Sequence, residues 1–314
     1  MRAVTFTDGD LAIAEHPDPA PERGEILVAV RAAGLNGADI MQRAGKYPAP
    51  PGVPADIPGL ELAGEVVALG SEAERFAIGD RVTAITGGGG QAELAVLHER
   101  GAMPLPAGLV WTAAGGLSEV FVTAHDAIFT QSGLRPGERL LVHGAAGGVG
   151  SAAVQIGRLA GASVTATVRN PDLRDGVAAL GAEVIEPEGF AEHGPFDVIL
   201  ELVGGPNLAD DVKALRTGGR IVVIGVGGGP KAELNLLALM GKRGAIRAST
   251  LRARPLEEKA LAMRRVEAEL IPRFESGELE VVVAESFDLE DAERAYERFT
   301  AGGKLGKVVL TMGA

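Results

Sequence analysis

Cysteine is absent from the 314-residue chain, which excludes disulfides, thiolate nucleophiles and every zinc site built on sulfur. Aromatic residues are scarce. One Trp and two Tyr leave no evident platform for stacking nucleobases. Basic residues are outnumbered, 30 Lys and Arg against 42 Asp and Glu, for a net charge of −12, so a polyphosphate backbone would be repelled. No uninterrupted apolar run reaches the roughly 18 residues of a membrane span. The opening MRAVTFTDGD reads as a strand entering a turn and lacks the apolar core of a signal peptide. These absences predict a cytoplasmic protein with neither nucleic-acid nor membrane partners. The histidines, at 16, 98, 125, 143 and 193, show no i, i+3 or i, i+4 pairing, and no metal site is predicted.

What the chain has in plenty is glycine, 45 residues gathered around short apolar runs, which reads as many tight turns. The length suits two domains. The first third reads as antiparallel β: MRAVTF, LAIAE, EILVAVRAAG, LELAGEVVALG, DRVTAI and QAELAVL are separated by Gly, Pro and Asp. One helix interrupts them, Ala38 to Gly45, followed by the proline-rich loop YPAPPGVPADIP. From about residue 119 strands (RLLVHGA, SVTATV, EVI, DVILELV, RIVVIGV) alternate with helical stretches, the grammar of a covered parallel sheet. After Pro255 one long amphipathic helix (LEEKALAMRRVEAELIPRF) leads to VVVAESF, a short helix DAERAYERF and a last strand GKVVLTM. The predicted class is α/β, a Rossmann-type doubly wound parallel sheet over 119–264 inserted in a β-rich domain of 1–118 plus 265–314, with a cleft between them.

The most informative stretch is GERLLVHGAAGGVGSAAVQIGR, 137–158. A strand runs into a Gly-rich turn and then a helix, which gathers backbone N–H groups and the positive helix end where a pyrophosphate can sit. Gly147 would admit the phosphates and Gly150 would let the helix lie close to the strand. Ala145 holds the first glycine position, so the strict G-x-G-x-x-G spacing is not met, and a merely structural turn is the competing reading. Ala146, Gly147, Gly148, Val149 and Gly150 are the candidate pyrophosphate contacts. An NAD site wants a carboxylate about 20 residues past the turn for the ribose 2′-OH; that position is Val168, with Arg169 next and Arg174 further on. Missing repulsion and an available guanidinium favour the 2′-phosphate of NADP, against two solvated surface arginines. Asn170, Gly204 and Gly225, the last in a turn GVGGGP, complete the candidate cofactor set.

The stretch 137–158 resembles the signature of the quinone oxidoreductase (zeta-crystallin) family within the medium-chain dehydrogenase/reductase superfamily. It fits at Gly137–Glu138, Leu141, Ala145–Ala146, Gly147–Gly148, Gly150, Gln155 and Arg158. NGADIMQRAGKYPAPPG, GLELAGEV, GGGGQAEL, STLRAR and GKVVL are similar to family segments too, so the resemblance spans nearly the whole chain. It implies a GroES-like β-rich domain, NADPH as cofactor, an active site in the interdomain cleft and a homodimer or tetramer. Asn36 and Tyr47 match positions that border the nicotinamide, Asp39 completes N-x-x-D, and Lys307 matches a C-terminal Lys near the cofactor. Two positions depart from the family: a Lys after the second strand is Leu173 here, and a Tyr after the third strand is Pro187.

Zinc-dependent members of the superfamily take Cys, His or Glu, and Cys ligands, and here the first two places hold Asn36 and Leu60 while Glu61 survives alone. One carboxylate cannot hold a tetrahedral Zn²⁺. Without a Lewis acid, alcohol oxidation gives way to reduction of an activated acceptor. The expected function is therefore hydride transfer from NADPH to a small quinone, with alkenal or enone reduction and non-catalytic NADPH binding as alternatives. Each site residue also has a structural reading: Asn36 as a helix N-cap, Asp39 as a complement to the helix dipole, the prolines after Tyr47 as loop stiffeners, Lys307 as a solvated charge. The strand GAIRASTL is expected to pair across a two-fold axis.

Overall fold

The computed structural model describes residues 1–313. Along the chain the strands are β1 (Arg2–Thr7), β2 (Asp10–Glu15), β3 (Glu25–Gly34), β4 (Glu61–Leu69), β5 (Arg81–Ile85), β6 (Leu94–His98) and β7 (Ala102–Pro104). Then come β8 (Arg139–Val142), β9 (Ser163–Thr167), β10 (Glu183–Ile185), β11 (Phe196–Glu201), β12 (Leu215–Val223) and β13 (Ala245–Ala248). The last are β14 (Val283–Asp288) and β15 (Lys307–Thr311). The helices are α1 (Gly37–Arg43), α2 (Trp111–Ala114), α3 (Ser118–His125), α4 (Gly148–Leu159) and α5 (Arg174–Ala179). They continue with α6 (Leu208–Ala214), α7 (Leu236–Lys242), α8 (Leu256–Glu269), α9 (Ile271–Glu275) and α10 (Ala292–Ala301).

These elements form two compact units: Met1–Val122 with Leu251–Gly302 and Lys307 onward, and Thr123–Thr250 with Gly303–Gly306. The first unit is β-rich. Its main sheet runs β14-β15-β3-β4-β5-β7, with β6 also paired to β3, and β1 and β2 form a separate hairpin. Buried and half-buried positions alternate along β3, as expected of an antiparallel strand with one face in a core. That core takes Val28, Val30, Leu62, Val66 and Leu310, with Tyr296 of α10 packed into it. Each such side chain contributes roughly 1.5–3 kcal/mol on burial. Tyr296 is 1% exposed, and its hydroxyl donates to Gln91 Oε1 at 2.8 Å, so its polar end is satisfied.

The second unit is a six-stranded parallel sheet in the order β10-β9-β8-β11-β12-β13. The chain builds outward from β8 in one direction, then returns to its other side with β11. That reversal makes the carboxyl ends of β8 and β11 the topological switch point where such sheets bind ligands. Leu140, Leu141 and Val142 are fully buried, and β11 is buried from Val198 to Glu201, the continuous pattern of strands covered on both faces. The expected α/β class, a Rossmann-type sheet together with a β-rich unit, is what the chain adopts.

Three local readings change. Residues 256–274 form two helices rather than one, because Pro272, in the first turn of α9, has no N–H to continue the α8 ladder. The units divide at 122/123 and 250/251 rather than at 118/119 and 264/265. Residues 251–264 go with the β-rich unit because α8 packs on β7 and the turn before it. There Arg100 grips Glu257 at 2.5 and 2.6 Å, and Arg264 donates to the Ala102 carbonyl. The segment around α2 and α3 carried no clear periodic signal and is helical. Strand β13 ends its sheet with one neighbour, and on nearby α7 Leu236, Leu237 and Met240 are 64%, 77% and 70% exposed. Among the described residues no helix is long and apolar enough to cross a membrane.

Gly150 joins fold to site. A Cβ there would meet the Gly144 carbonyl oxygen at 2.5 Å and Ala145 Cα at 2.6 Å, backbone atoms that cannot swing aside. Gly150→Ala is expected to lower stability by about 2–3 kcal/mol in urea unfolding; a change below about 0.5 kcal/mol would show that α4 does not need so close an approach.

Candidate functional site

In the β-rich unit the centre of the polar chemistry is an ammonium. Lys307 opens β15, is 3% exposed, and points its Nζ at three acceptors: Leu35 O at 2.6 Å, Glu61 Oε1 at 2.7 Å and Asn36 Oδ1 at 2.8 Å. An ammonium has three N–H donors, and all three are spent. Glu61, fully buried at the start of β4, receives further donors from the Asn36 amide at 3.0 Å and the Glu119 backbone N–H at 2.9 Å. The backbone makes room for this: a Cβ on Gly34 would lie 2.5 Å from Glu61 Oε1 and 2.9 Å from Lys307 Cε. Any side chain at position 34 would displace the pair.

Asn36 stands at the N-cap position of α1, and its amide donates to Glu61 and the Gly34 carbonyl and accepts from Lys307. Asp39 answers the cap: its carboxylate accepts from the Asn36 backbone N–H at 2.8 Å and the Gly59 N–H at 3.2 Å. It is fully buried, and burial pushes its carboxyl up to about 6 against those two donors. Tyr47 lies in the loop after α1. Its carbonyl accepts from Arg252 at 3.0 Å, and the Arg252 guanidinium sits 5.1 Å from its ring centre. Arg252, 4% exposed, also donates to Gly87 O at 2.7 Å and Gln42 Oε1 at 2.5 Å, which ties the proline-rich loop to α1. Glu119 sits at the start of α3; burial, then the nearby Glu61 carboxylate, pushes its carboxyl up to about 8, so it keeps its proton at neutral pH.

In the second unit β8 runs through His143 into the turn 144–147 and α4. Gly147 is the N-cap, no side chain caps the helix, and its first turn holds no acidic residue. The leading N–H groups of a helix have no intrahelical partner, so this end is open to an anion. Ala146 turns its carbonyl toward the Gly306 N–H at 2.8 Å, which ties the turn to the 303–306 segment of the same unit. The turn therefore suits a diphosphate by its uncapped amides. Beyond β9, Val168 is buried and Arg169 is exposed. Arg174 is committed to the Val168 carbonyl at 3.3 Å and Glu186 at 3.0 Å, leaving Arg169 as the guanidinium open to a phosphate. Asn170 caps the next turn, its Oδ1 accepting from the Asp172 N–H at 3.1 Å. Gly204 and Gly225 follow β11 and β12, and the two loops are laced by Gly205 N–H to Gly229 O at 2.9 Å and Gly228 N–H to Val203 O at 2.8 Å.

Within the β-rich unit the structure thus brings Asn36, Asp39 and Lys307 into one network and holds Tyr47 through Arg252. In the other unit it gathers Ala146 to Gly150 at the switch point, with Arg169 and Asn170 at the end of β9. Sequence reasoning left Glu119 and Arg252 unassigned; Arg252 lies in STLRAR, already singled out by resemblance, whereas Glu119 sits in a segment with no local signal. It also missed that His143, Glu201 and Asp211 meet in the second unit, their ligand-type atoms within 4.8 Å of one another.

Residues 22–131 match the family described as alcohol dehydrogenase GroES-like domain, and residues 180–310 match the zinc-binding dehydrogenase family. A quinone oxidoreductase from Lama guanicoe is 34% identical over 94% of this chain and 91% of that protein. The crystal structure of a quinone oxidoreductase from Pseudomonas syringae pv. tomato DC3000 superposes with TM-score 0.86 at 29% identity, covering 99% of each chain. The CurK enoyl reductase shares the fold, with TM-score 0.85 at 24% identity over 99% of both chains.

Lys307→Met strands the buried Glu61 carboxylate and is expected to cost about 3–5 kcal/mol in chemical denaturation. Adding Glu61→Gln to it is expected to recover most of that loss. Equal stabilities for the single variant and the original protein would show that the ion pair is not the anchor of this network.

Proposed function

The chain belongs to the quinone oxidoreductase family of the medium-chain dehydrogenase/reductase superfamily, and from that premise we propose that it passes hydride from NADPH to a small quinone without zinc. The observation that carries this reading is the commitment of Glu61 to Lys307 at 2.7 Å. Asn36, Leu60 and Glu61 stand where the zinc-dependent relatives' ligands would be, and the one usable carboxylate is already held by a buried ammonium. That donor set does not suit a tetrahedral zinc.

Bound NADPH would supply the hydride. The chain's part is to hold, orient and protonate. The uncapped amides at Gly148 to Gly150 suit the diphosphate, and Arg169, beside Val168 rather than a carboxylate, suits a 2′-phosphate. Asn36, Asp39 and Lys307 act as positioning residues, since their polar atoms are taken up by one another and by Glu61, Leu35 and Gly59. Tyr47, with its ring fixed by Arg252, is assigned to binding the acceptor oxygen or the cofactor ribose. A second reading, reduction of an alkenal or enone, draws support from Glu119: saturating a C=C bond needs a proton as well as a hydride, and its carboxyl retains one up to about pH 8.

Expected kinetics follow. NADPH is oxidised with a panel of small quinones faster than with enones, and NADH serves poorly. Arg169→Ala raises the KM for NADPH roughly tenfold or more and leaves that for NADH unchanged. Equal use of both cofactors by the unaltered enzyme would remove Arg169 from the phosphate site, and a preference for enones would hand the function to the second reading.

The exposed Leu236, Leu237 and Met240 beside the open edge of β13 support a homodimer, which would cover both. Sedimentation is expected to show a dimer for the original chain and a shift to monomer for Leu237→Lys; a monomer at micromolar concentration in both would rule the dimer out.

A further inference from the structure

Beneath the turn of the second unit lies a polar cluster that the proposed reaction does not use. His143 follows β8, Thr167 ends β9, Glu201 ends β11 and Asp211 belongs to α6. His143, Glu201 and Asp211 are fully buried, and Thr167 is 3% exposed. The imidazole Nδ1 lies 3.0 Å from Thr167 Oγ1 and Nε2 lies 2.9 Å from Asp211 Oδ1. The Phe190 ring closes over it, edge to face, at 4.5 Å between centres. Burial holds His143 below its ordinary value, so the ring is neutral, with one donor and one acceptor nitrogen. A carboxylate oxygen only accepts, so Nε2 carries the hydrogen toward Asp211 and Nδ1 accepts from the Thr167 hydroxyl.

Glu201 uses Oε1 to hold the backbone N–H groups of Val203 and Gly204, the latter at 2.7 Å. This leaves one oxygen on each acid, Glu201 Oε2 and Asp211 Oδ2, both buried and both without a donor. The titratable groups that face the pair are His143 and, next to Asp211 on α6, Asp210, itself tied to Lys213 at 2.5 Å. No guanidinium or ammonium reaches Glu201 or Asp211 among the described residues. Two ionised carboxylates in such a place would be mutually repulsive and stripped of solvent. A single proton held between the two acids, whose ligand-type atoms lie within 4.8 Å of each other, would answer both orphaned oxygens.

We propose that Glu201 and Asp211 share one proton, and that the carboxyl so held is a positioning device that fixes the 202–205 loop at the carboxyl end of β11 for dinucleotide binding. The proposal rests on the dinucleotide reading of this unit. Burial raises both carboxyls, Asp211 to about 7. The sign follows directly: a carboxyl raised in the folded state stabilises that state at low pH, and the contribution is lost as pH rises through the raised value. Above it the pair becomes a dianion: charge strengthens Glu201 as an acceptor for the Val203 and Gly204 N–H groups, but repulsion from Asp211 drives the carboxylate, and the 202–205 loop that hangs on it, out of position.

The test uses the whole protein and three readouts: NADPH affinity by fluorescence, thermal midpoint, and infrared absorption, each across pH 6 to 9. In Asp211→Asn the amide supplies a permanent donor to Glu201 and an acceptor for His143. In Glu201→Gln the amide supplies a donor to Asp211 and keeps an acceptor for the Val203 and Gly204 N–H groups. The original protein is expected to bind NADPH about tenfold more weakly at pH 9 than at pH 6 and to show the carbonyl stretch of a protonated acid. Both amide variants flatten the affinity profile and lose, in the difference spectrum and in the slope of the midpoint, the part that Glu119 and Asp39 do not supply. Identical profiles for the original protein and Asp211→Asn would overturn the proposal. So would stoichiometric zinc or magnesium in the purified protein that disappears in Asp211→Asn, since a cation would then do the proton's work. If NADPH fails to bind at any pH, the dinucleotide reading falls and the positioning role with it. The midpoint and infrared profiles still decide whether the proton is shared.

Discussion

One polar network in the β-rich unit is arranged around a buried ammonium. Lys307 Nζ meets a carboxylate, an amide oxygen and a backbone carbonyl, and burying such a group is tolerable only because all three of its donors are answered. The demands spread outward. Glu61 must be a carboxylate, Asn36 must aim its amide at Glu61 and Lys307, and Asp39 takes the backbone N–H of Asn36 itself. Gly34 must stay bare. The organiser of this network is a monovalent side chain, and what it holds together is the start of β4, the residues before α1 and the start of β15.

The second unit meets the opposite requirement, since it must leave groups unanswered. The amides that open α4 have no side-chain cap and no acidic neighbour in the first turn, an arrangement that would be wasteful in a helix with only a structural task. Close packing of Gly150 on the Gly144 carbonyl keeps those amides at the end of β8. Deeper in the unit most polar groups are matched, through His143, Thr167, Asp211 and the Val203 and Gly204 amides, with Glu201 Oε2 and Asp211 Oδ2 the exceptions. Open amides held on a hydrogen-bonded floor are what a preorganised anion site calls for.

How much of this could be read from the sequence depended on the range of each interaction. The Gly-rich turn, the strand–helix alternation and the antiparallel first third were legible because each is written within a dozen or so residues. Gly147 and Gly150 could be given separate tasks, and at Gly150 a Cβ would meet the backbone of Gly144 and Ala145 in the turn. The Lys307 network was not legible as geometry. Asn36 and Lys307 are 271 residues apart, and only family resemblance marked either one. His143 was dismissed as a lone histidine because its partner Asp211 lies 68 residues on and no helical spacing links them. The split between α8 and α9 was in principle readable, since Pro272 was in view, but the amphipathic pattern on either side masked it.

The long sequence separation has a consequence for biogenesis. Strand β15 pairs with β3 through Val309, Leu310 and Thr311, and brings the residue that neutralises Glu61. Residues 123–250, by contrast, are contiguous and hold nearly all of their own unit. On a ribosome emitting the chain from its N-terminus, that inserted unit can close while the Ala32–Gly34 end of β3, beyond the stretch that β6 covers, still lacks a partner on one side and Glu61 lacks its counter-ion. The portion of the protein made first is therefore among the last to be finished, and during that interval its open strand edge is the surface most in need of chaperone protection.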